Sequence, residues 1–259
     1  MEYYKLTIAY DGTVYHGWQS QKSVQITVAG ALAQTFKRVF NHEVAIVGAS
    51  RTDAHVHALG QIARIKTSLN IDPQKIIHAL NSALPPDILI RNLEKSPGEF
   101  HPLKQVKEKT YWYHFSLDRP LPFFQRYVYY MRYPVDIEKL KNCLRIFVGT
   151  HNFRSFATGN DMGKNTIRTI NSLEMAHISE INAYRIMVRG PSFMRYMIRR
   201  IVGASLEVSS RHYMDVNYLQ QALDEQNPLQ SLLPTAPAHG LLLHSIEYYQ
   251  TKEFEHEKN

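Results

Sequence analysis

The chain has 259 residues, 44% hydrophobic and 20% charged, the balance of a soluble globular protein with room for two modest domains. Its 30 Lys and Arg against 23 Asp and Glu leave a net charge of +7, which favours a polyanionic partner, nucleic acid ahead of a membrane surface. One cysteine, Cys143, excludes an intrachain disulfide, no run approaches the ~20 apolar residues of a membrane span, and Met1-Glu2-Tyr3-Tyr4-Lys5 lacks the pattern of a signal peptide, so a cytoplasmic protein with no membrane partner is expected.

Residues 4–10 alternate as a strand, with Leu6 and Ile8 on one face, and Asp11-Gly12-Thr13 turns the chain. A polar and aromatic run follows, in which Trp18 suits either a core or a platform for a nucleobase. Ser23 is a candidate N-cap for a helix on which Val24, Val28, Leu32, Phe36, Val39 and Phe40 recur at helical spacing. Val44-Ala45-Ile46-Val47 reads as a buried strand and residues 62–67 as a half-buried one.

Between these strands, residues 48–61 hold Arg51, Thr52, Asp53, His55, His57 and Gln61, none of which a short hairpin needs. An ionisable loop on a rigid scaffold is where function tends to sit. Arg51 and Asp53 are two apart and point the same way in an extended segment. A carboxylate beside a guanidinium stays ionised, available as nucleophile or base, although the same spacing also describes an ordinary surface ion pair. His55 and His57 fall short of the three or four ligands of a metal site, so no metal is expected.

Asp72-Pro73 opens a second helix with Ile76, Ile77, Leu80 and Leu84 as its apolar stripe, and residues 88–93 alternate as a strand. Ser96-Pro97-Gly98-Glu99 reads as a linker, placing a first domain at about residues 1–100. The second, residues 101–250, opens with an aromatic strand at 107–115; Asp136 caps a helix carrying Ile137, Leu140, Leu144 and Phe147, where Cys143 is a small core residue. Residues 150–166 read as a long loop suited to RNA contact, and residues 167–178 and 183–189 as two strands. Ser192 is expected to cap a helix over 193–208, on which Arg195 and Arg199 are neighbours four apart and Arg200 points elsewhere. Such arginines either snorkel to solvent or hold a carboxylate and a phosphate. A last helix starts at Asp215, residues 241–248 form the closing strand, and residues 251–259 are a charged tail. Strand runs preceding helices in both halves are an α+β pattern.

Several of these segments resemble one family. Tyr10-Asp11-Gly12, Gly17-Trp18-Gln19-Ser20-Gln21, Ser23-Val24-Gln25, Arg51-Thr52-Asp53-Ala54 with Val56-His57, Lys109-Thr110-Tyr111 with Tyr113, Phe193 with Met197, Arg199 and Ile201-Val202-Gly203, and Ala236-Pro237-Ala238 with Gly240-Leu241 are similar in order to the motifs of the tRNA pseudouridine synthase A family. The resemblance implies two similar α/β halves, with RRM-like antiparallel sheets and helices, enclosing a central cleft. It implies isomerisation of uridine to pseudouridine at positions 38, 39 and 40 of the tRNA anticodon stem-loop, by a homodimer, without metal or cofactor. By the motif match, Asp53 is the nucleophile, Arg199 its ion-pair partner, and Tyr111 the residue that stacks on the target base and can accept a proton. Arg51, Arg195 and Leu241 join Tyr111 in binding substrate. Two departures stand out: His55 replaces the family's usual Gly, and Pro102-Leu103-Lys104 follows Phe100-His101 where the family has Ala-Arg. A non-catalytic RNA-binding protein with RRM-like sheets explains charge and aromatics equally well but not the Arg-Thr-Asp loop, since carboxylates repel phosphate. A metal-dependent nuclease using Asp53, His55 and His57 is a further rival.

Overall fold

The alternation at the start of the chain becomes strand β1 (Glu2–Tyr10), which buries Tyr4, Leu6, Ile8 and Tyr10 on one face. The computed structural model describes residues 1–19, 26–98, 100–158, 165–224 and 234–249. The chain forms two units, Met1–Lys109 with the chain from Leu242 onward, and Thr110–Leu241.

In the first unit, α1 (Val28–Phe40) is capped by Thr27, whose hydroxyl accepts from the Gly30 amide, and buries Val28, Leu32 and Phe36. The expected cap Ser23 and Val24 lie outside the described residues. The run expected to be a buried strand is β2 (Ala45–Gly48), but Ala45 is exposed and the rest half-buried. Burial goes instead to its partner β3 (His57–Thr67), which pairs with both β1 and β2 and is covered on both faces over most of its length. β3 therefore begins five residues before the half-buried strand read from alternation. Helix α2 (Pro73–Ala83) starts as its sequence predicts, with Asp72 accepting from the amides of Gln74 and Lys75 and Pro73 at the first position. Strand β4 (Ile88–Lys95) pairs with β1, and the Asn81 side chain both donates to Ile90 O and accepts from Ile90 N at 2.9 Å, tying α2 to it.

Strand β5 (Val106–Ser116) opens in the first unit and runs into the second, where Tyr111, Tyr113 and Phe115 are buried. The two-residue β6 (Tyr129–Tyr130) runs parallel to it. Asp136 caps α3 (Ile137–Arg145), which buries Cys143. The stretch expected as a long loop carries regular structure among its described residues: β7 (Gly149–Asn152) pairs with β8 (Ile167–Ile170), and a 3-10 turn at Arg154–Phe156 buries Phe156. Phe147, Phe153 and Phe156 form an aromatic cluster there, apolar content that lacks helical or strand period because its backbone is a turn. β9 (Ser172–Ile178) and β10 (Ala183–Gly190) form an antiparallel hairpin, giving the order β5-β10-β9. Helix α4 (Met197–Ser210) starts later than Ser192, because Tyr196 adopts φ 61°, which a right-handed helix cannot accommodate. Helix α5 (Asn217–Asp224) follows, with Asp215 accepting from the Asn217 amide. The last strand, β11 (Leu241–Tyr248), runs parallel to β3 at His57 and Ala58.

Each unit thus combines a mainly antiparallel sheet with helices, the α+β class expected. Among the described residues no helix is long and apolar enough to cross a membrane.

Candidate active site

The loop between β2 and β3 is held from several directions within the first unit. The Ala49 amide donates to Ile62 O at 2.8 Å. Gln61, fully buried on β3, accepts from the Ser50 amide at 3.1 Å and donates to the Ser50 carbonyl at 2.8 Å. The buried Thr52 hydroxyl meets Tyr10 Oη at 2.7 Å, and its carbonyl accepts from the Trp18 amide. Asp53 O accepts from the Val56 amide, closing a tight turn. Gly17, at φ +90°, brings its backbone so close that a Cβ would stand 2.7 Å from Thr52 O. Asp53 is half-buried in the middle of this framework.

Arg51 is exposed, and none of the ion pairs among the described residues includes it, so the Arg51–Asp53 pair read from their spacing is not formed. Trp18 is 1% exposed, stacked on Tyr10 at 6.1 Å and closing over Gly48, which decides for the core over the base platform. His57 is buried at the head of β3, where its Nδ1 accepts from the Gly12 amide at 3.0 Å. His55 is exposed at φ 65°, with Nδ1 2.8 Å from Thr13 O. A carbonyl only accepts, so that nitrogen carries the proton. The two histidines thus serve different partners.

The left-handed backbone explains why a glycine suits position 55. A histidine there costs about 1–2 kcal/mol in backbone strain, and the Thr13 bond returns about 0.5–1.5 kcal/mol. Replacing His55 by Gly is therefore expected to shift unfolding free energy by less than about 1 kcal/mol, measured by urea titration. The Gln61 clamp behaves differently. Gln61→Leu removes both buried bonds to the Ser50 backbone, and is expected to cost about 1–3 kcal/mol by the same measurement.

Sequence reading put Gln61 among the polar residues of this loop without its clamp on Ser50, and it missed one contributor altogether. Lys109, on β5, donates from Nζ to Ala49 O at 2.8 Å, and burial lowers its pKa to about 8.

In the second unit, Tyr111 is buried and meets Phe193 edge-on at 5.5 Å. Arg195 precedes α4, so it is not the helical neighbour of Arg199 that an i, i+4 spacing suggests. Both nevertheless lie against one ring: their guanidinium carbons stand 4.8 and 5.0 Å from the centroid of Tyr196. Arg199 Nε also donates to Ala236 O at 2.8 Å, while Ala236 N donates back to Arg199 O at 2.9 Å. Tyr113, fully buried, donates to Pro237 O at 3.1 Å, and Gly240 fits against its ring. These contacts tie the 236–241 segment, ending in buried Leu241, to α4 and β5. Arg200 is buried and donates to Ala157 O at 2.8 Å, a structural role, and burial lowers its pKa.

Against this geometry, a family model described as tRNA pseudouridine synthase matches residues 6–102 and 144–249. The chain belongs to the tRNA pseudouridine synthase family. It is 35% identical over 254 residues to tRNA pseudouridine synthase A of Thermodesulfovibrio yellowstonii, covering 94% of this chain and 98% of that one. It is 36% identical over 249 residues to tRNA pseudouridine synthase A 2 of Clostridium tetani, with the same two coverages. Among solved structures it is similar to one of a Cbf5-Nop10-Gar1 complex, with a TM-score of 0.34 and 11% identity over 78% of this chain and 45% of that one. The first stretch matched to the synthase family holds Arg51 and Asp53, and the second holds Arg195, Arg199 and Leu241; Tyr111 falls between them.

Proposed function

We propose that this chain is an isomerase that converts uridine to pseudouridine in tRNA, at positions 38, 39 and 40 of the anticodon stem-loop, as a cytoplasmic homodimer. In this reading Asp53 is the nucleophile, Arg199 pairs with it, and Tyr111 stacks on the target base and can accept a proton. Arg51, Arg195 and Leu241 bind substrate with Tyr111. The reaction breaks the N1–C1′ bond, turns the base, joins C5 to C1′, and moves a proton from C5 to N1. No redox equivalent or phosphoryl donor enters that balance. Asp53 acts at C1′, at the uracil ring or on a ribose proton; each route needs a carboxylate held in one place.

The observation that carries the reading is the over-determined backbone around Asp53. A solvent loop has no need of Gln61, Thr52, Gly17 and Lys109 all converging on it. Membership of the synthase family supports the reaction class, and the net charge of +7 supports a polyanionic substrate. Extruding a stacked uridine costs a few kcal/mol, which phosphate contacts and stacking can offset. The test is incubation of the protein with unmodified tRNA, followed by mapping of pseudouridine at each anticodon-stem position. Product confined to 38–40 is expected; product elsewhere or none rejects the assignment.

A further inference from the structure

We propose that Lys109 is a phosphate ligand of the substrate RNA, receiving a backbone phosphate beside the Asp53 loop. This rests on the tRNA reading above and adds a residue to the substrate-binding set.

Lys109 is the last residue of β5 within the first unit. Its ammonium group is largely buried yet not sealed from solvent, and it donates to Ala49 O, four residues before Asp53. Among the described residues that carbonyl is its hydrogen-bond partner, and no ion pair includes it. An ammonium has three N–H donors, and a carbonyl brings no compensating charge. A desolvated cation without a counter-ion is costly, and such a group beside candidate catalytic residues marks a functional site. Burial, rather than a neighbouring charge, is what lowers its pKa to about 8.

No nearby carboxylate fills the role. Strand alternation turns Glu108 to the opposite face and puts exposed Lys107 on the same face as Lys109. Within the first unit the ionisable groups on the loop and the neighbouring strands are Arg51, Asp53 and His55 on the loop, His57, Arg64 and Lys66 on β3, and His244, Glu247 and Tyr248 on β11. Arg64 is engaged with the carbonyls of Gly98 and Phe100, and Glu247 is exposed. A compact ammonium suits a phosphate oxygen, and the polyanion that a +7 chain attracts supplies one.

The experiment is a tRNA-binding titration with unmodified tRNA, run across salt concentrations and from pH 7 to 9. Each phosphate contact contributes about 0.7–0.9 to the slope of log affinity against log salt. Lys109→Met is expected to lose roughly ten-fold in affinity at pH 7 and about one contact's worth of slope, while Lys109→Arg keeps both. Wild-type Lys109 is an ammonium below about pH 8 and an amine above it, so wild-type affinity falls toward pH 9. Lys109→Arg, charged throughout, stays flat, and this arm stands even where Lys109→Met fails to fold. A wild-type salt slope in folded Lys109→Met, or the same pH dependence in wild type and Lys109→Arg, overturns the proposal. A residue that only anchors Ala49 would lower affinity without moving the slope. Binding is read without turnover, so absence of pseudouridine rejects the isomerase reading alone.

Discussion

Asp53→Asn is expected to abolish pseudouridine formation while leaving tRNA affinity within about three-fold of wild type. The substitution keeps the shape of the side chain and removes its charge and nucleophilicity. Loss of a nucleophile typically costs more than about 10⁴-fold in kcat, because the remaining groups act only in concert with it. The loop itself is expected to survive. The Ala49, Ser50 and Thr52 backbone bonds and the Thr52 hydroxyl bond hold it from segments that the substitution does not touch, and asparagine keeps an accepting oxygen at position 53. Single-turnover assay with excess enzyme, paired with a binding titration, separates the two effects. Appreciable turnover by the variant removes Asp53 from the nucleophile role, whereas joint loss of binding and turnover points to a collapsed loop.

That separation exists because the loop's framework is distributed over distant segments, which also sets what the sequence could reveal. Local signals worked where one residue decides the structure. Asp72-Pro73 opens α2, Asp136 caps α3, and the alternation of β1 buries alternate residues as expected. They failed where a tertiary partner decides. The apolar run at β2 lies half-buried because β3 takes the covered position between its partners. The helix expected from Ser192 begins at Met197 because Tyr196 takes a left-handed backbone, and no propensity marks a tyrosine for that.

The loop shows the same division. Arg51, Thr52 and Asp53 stand out by residue type alone, as does the departure at His55, where φ 65° is a conformation glycine adopts without strain. The partners of Gln61 and Lys109 do not stand out. Gln61 reaches Ser50 only because β2 and β3 pair with Gly48 opposite Ala63. Lys109 meets Ala49 across 60 residues of sequence. A spacing argument also misread Arg51: residues two apart share a direction only in extended chain, and residues 51–53 belong to neither β2 nor β3. Arg195 and Arg199 were neighbours for a different reason from the one their spacing suggests, through the Tyr196 ring rather than a helical turn.

Tyr111→Phe discriminates between the two tasks assigned to that side chain. The ring is buried and fixed edge-on against Phe193, so phenylalanine fills the same space and keeps the same aromatic contact. Stacking on a base depends on the ring face and is worth about 1–3 kcal/mol, which the variant retains. Proton acceptance depends on the hydroxyl oxygen alone, and a positioned acid–base group contributes about 10²–10⁴-fold to rate. The expected result is tRNA affinity within about two-fold of wild type and kcat lower by about 10²-fold or more. Tyr111→Ala, by contrast, removes ring and hydroxyl and is expected to weaken binding by about 1–3 kcal/mol as well. A primary isotope effect on kcat with uridine deuterated at C5, growing in Tyr111→Phe, places the slowed step at removal of that proton. An unchanged kcat in Tyr111→Phe leaves the ring as a platform only, and in the proposed mechanism the proton from C5 then passes to another base, for which Asp53 is the proposed candidate.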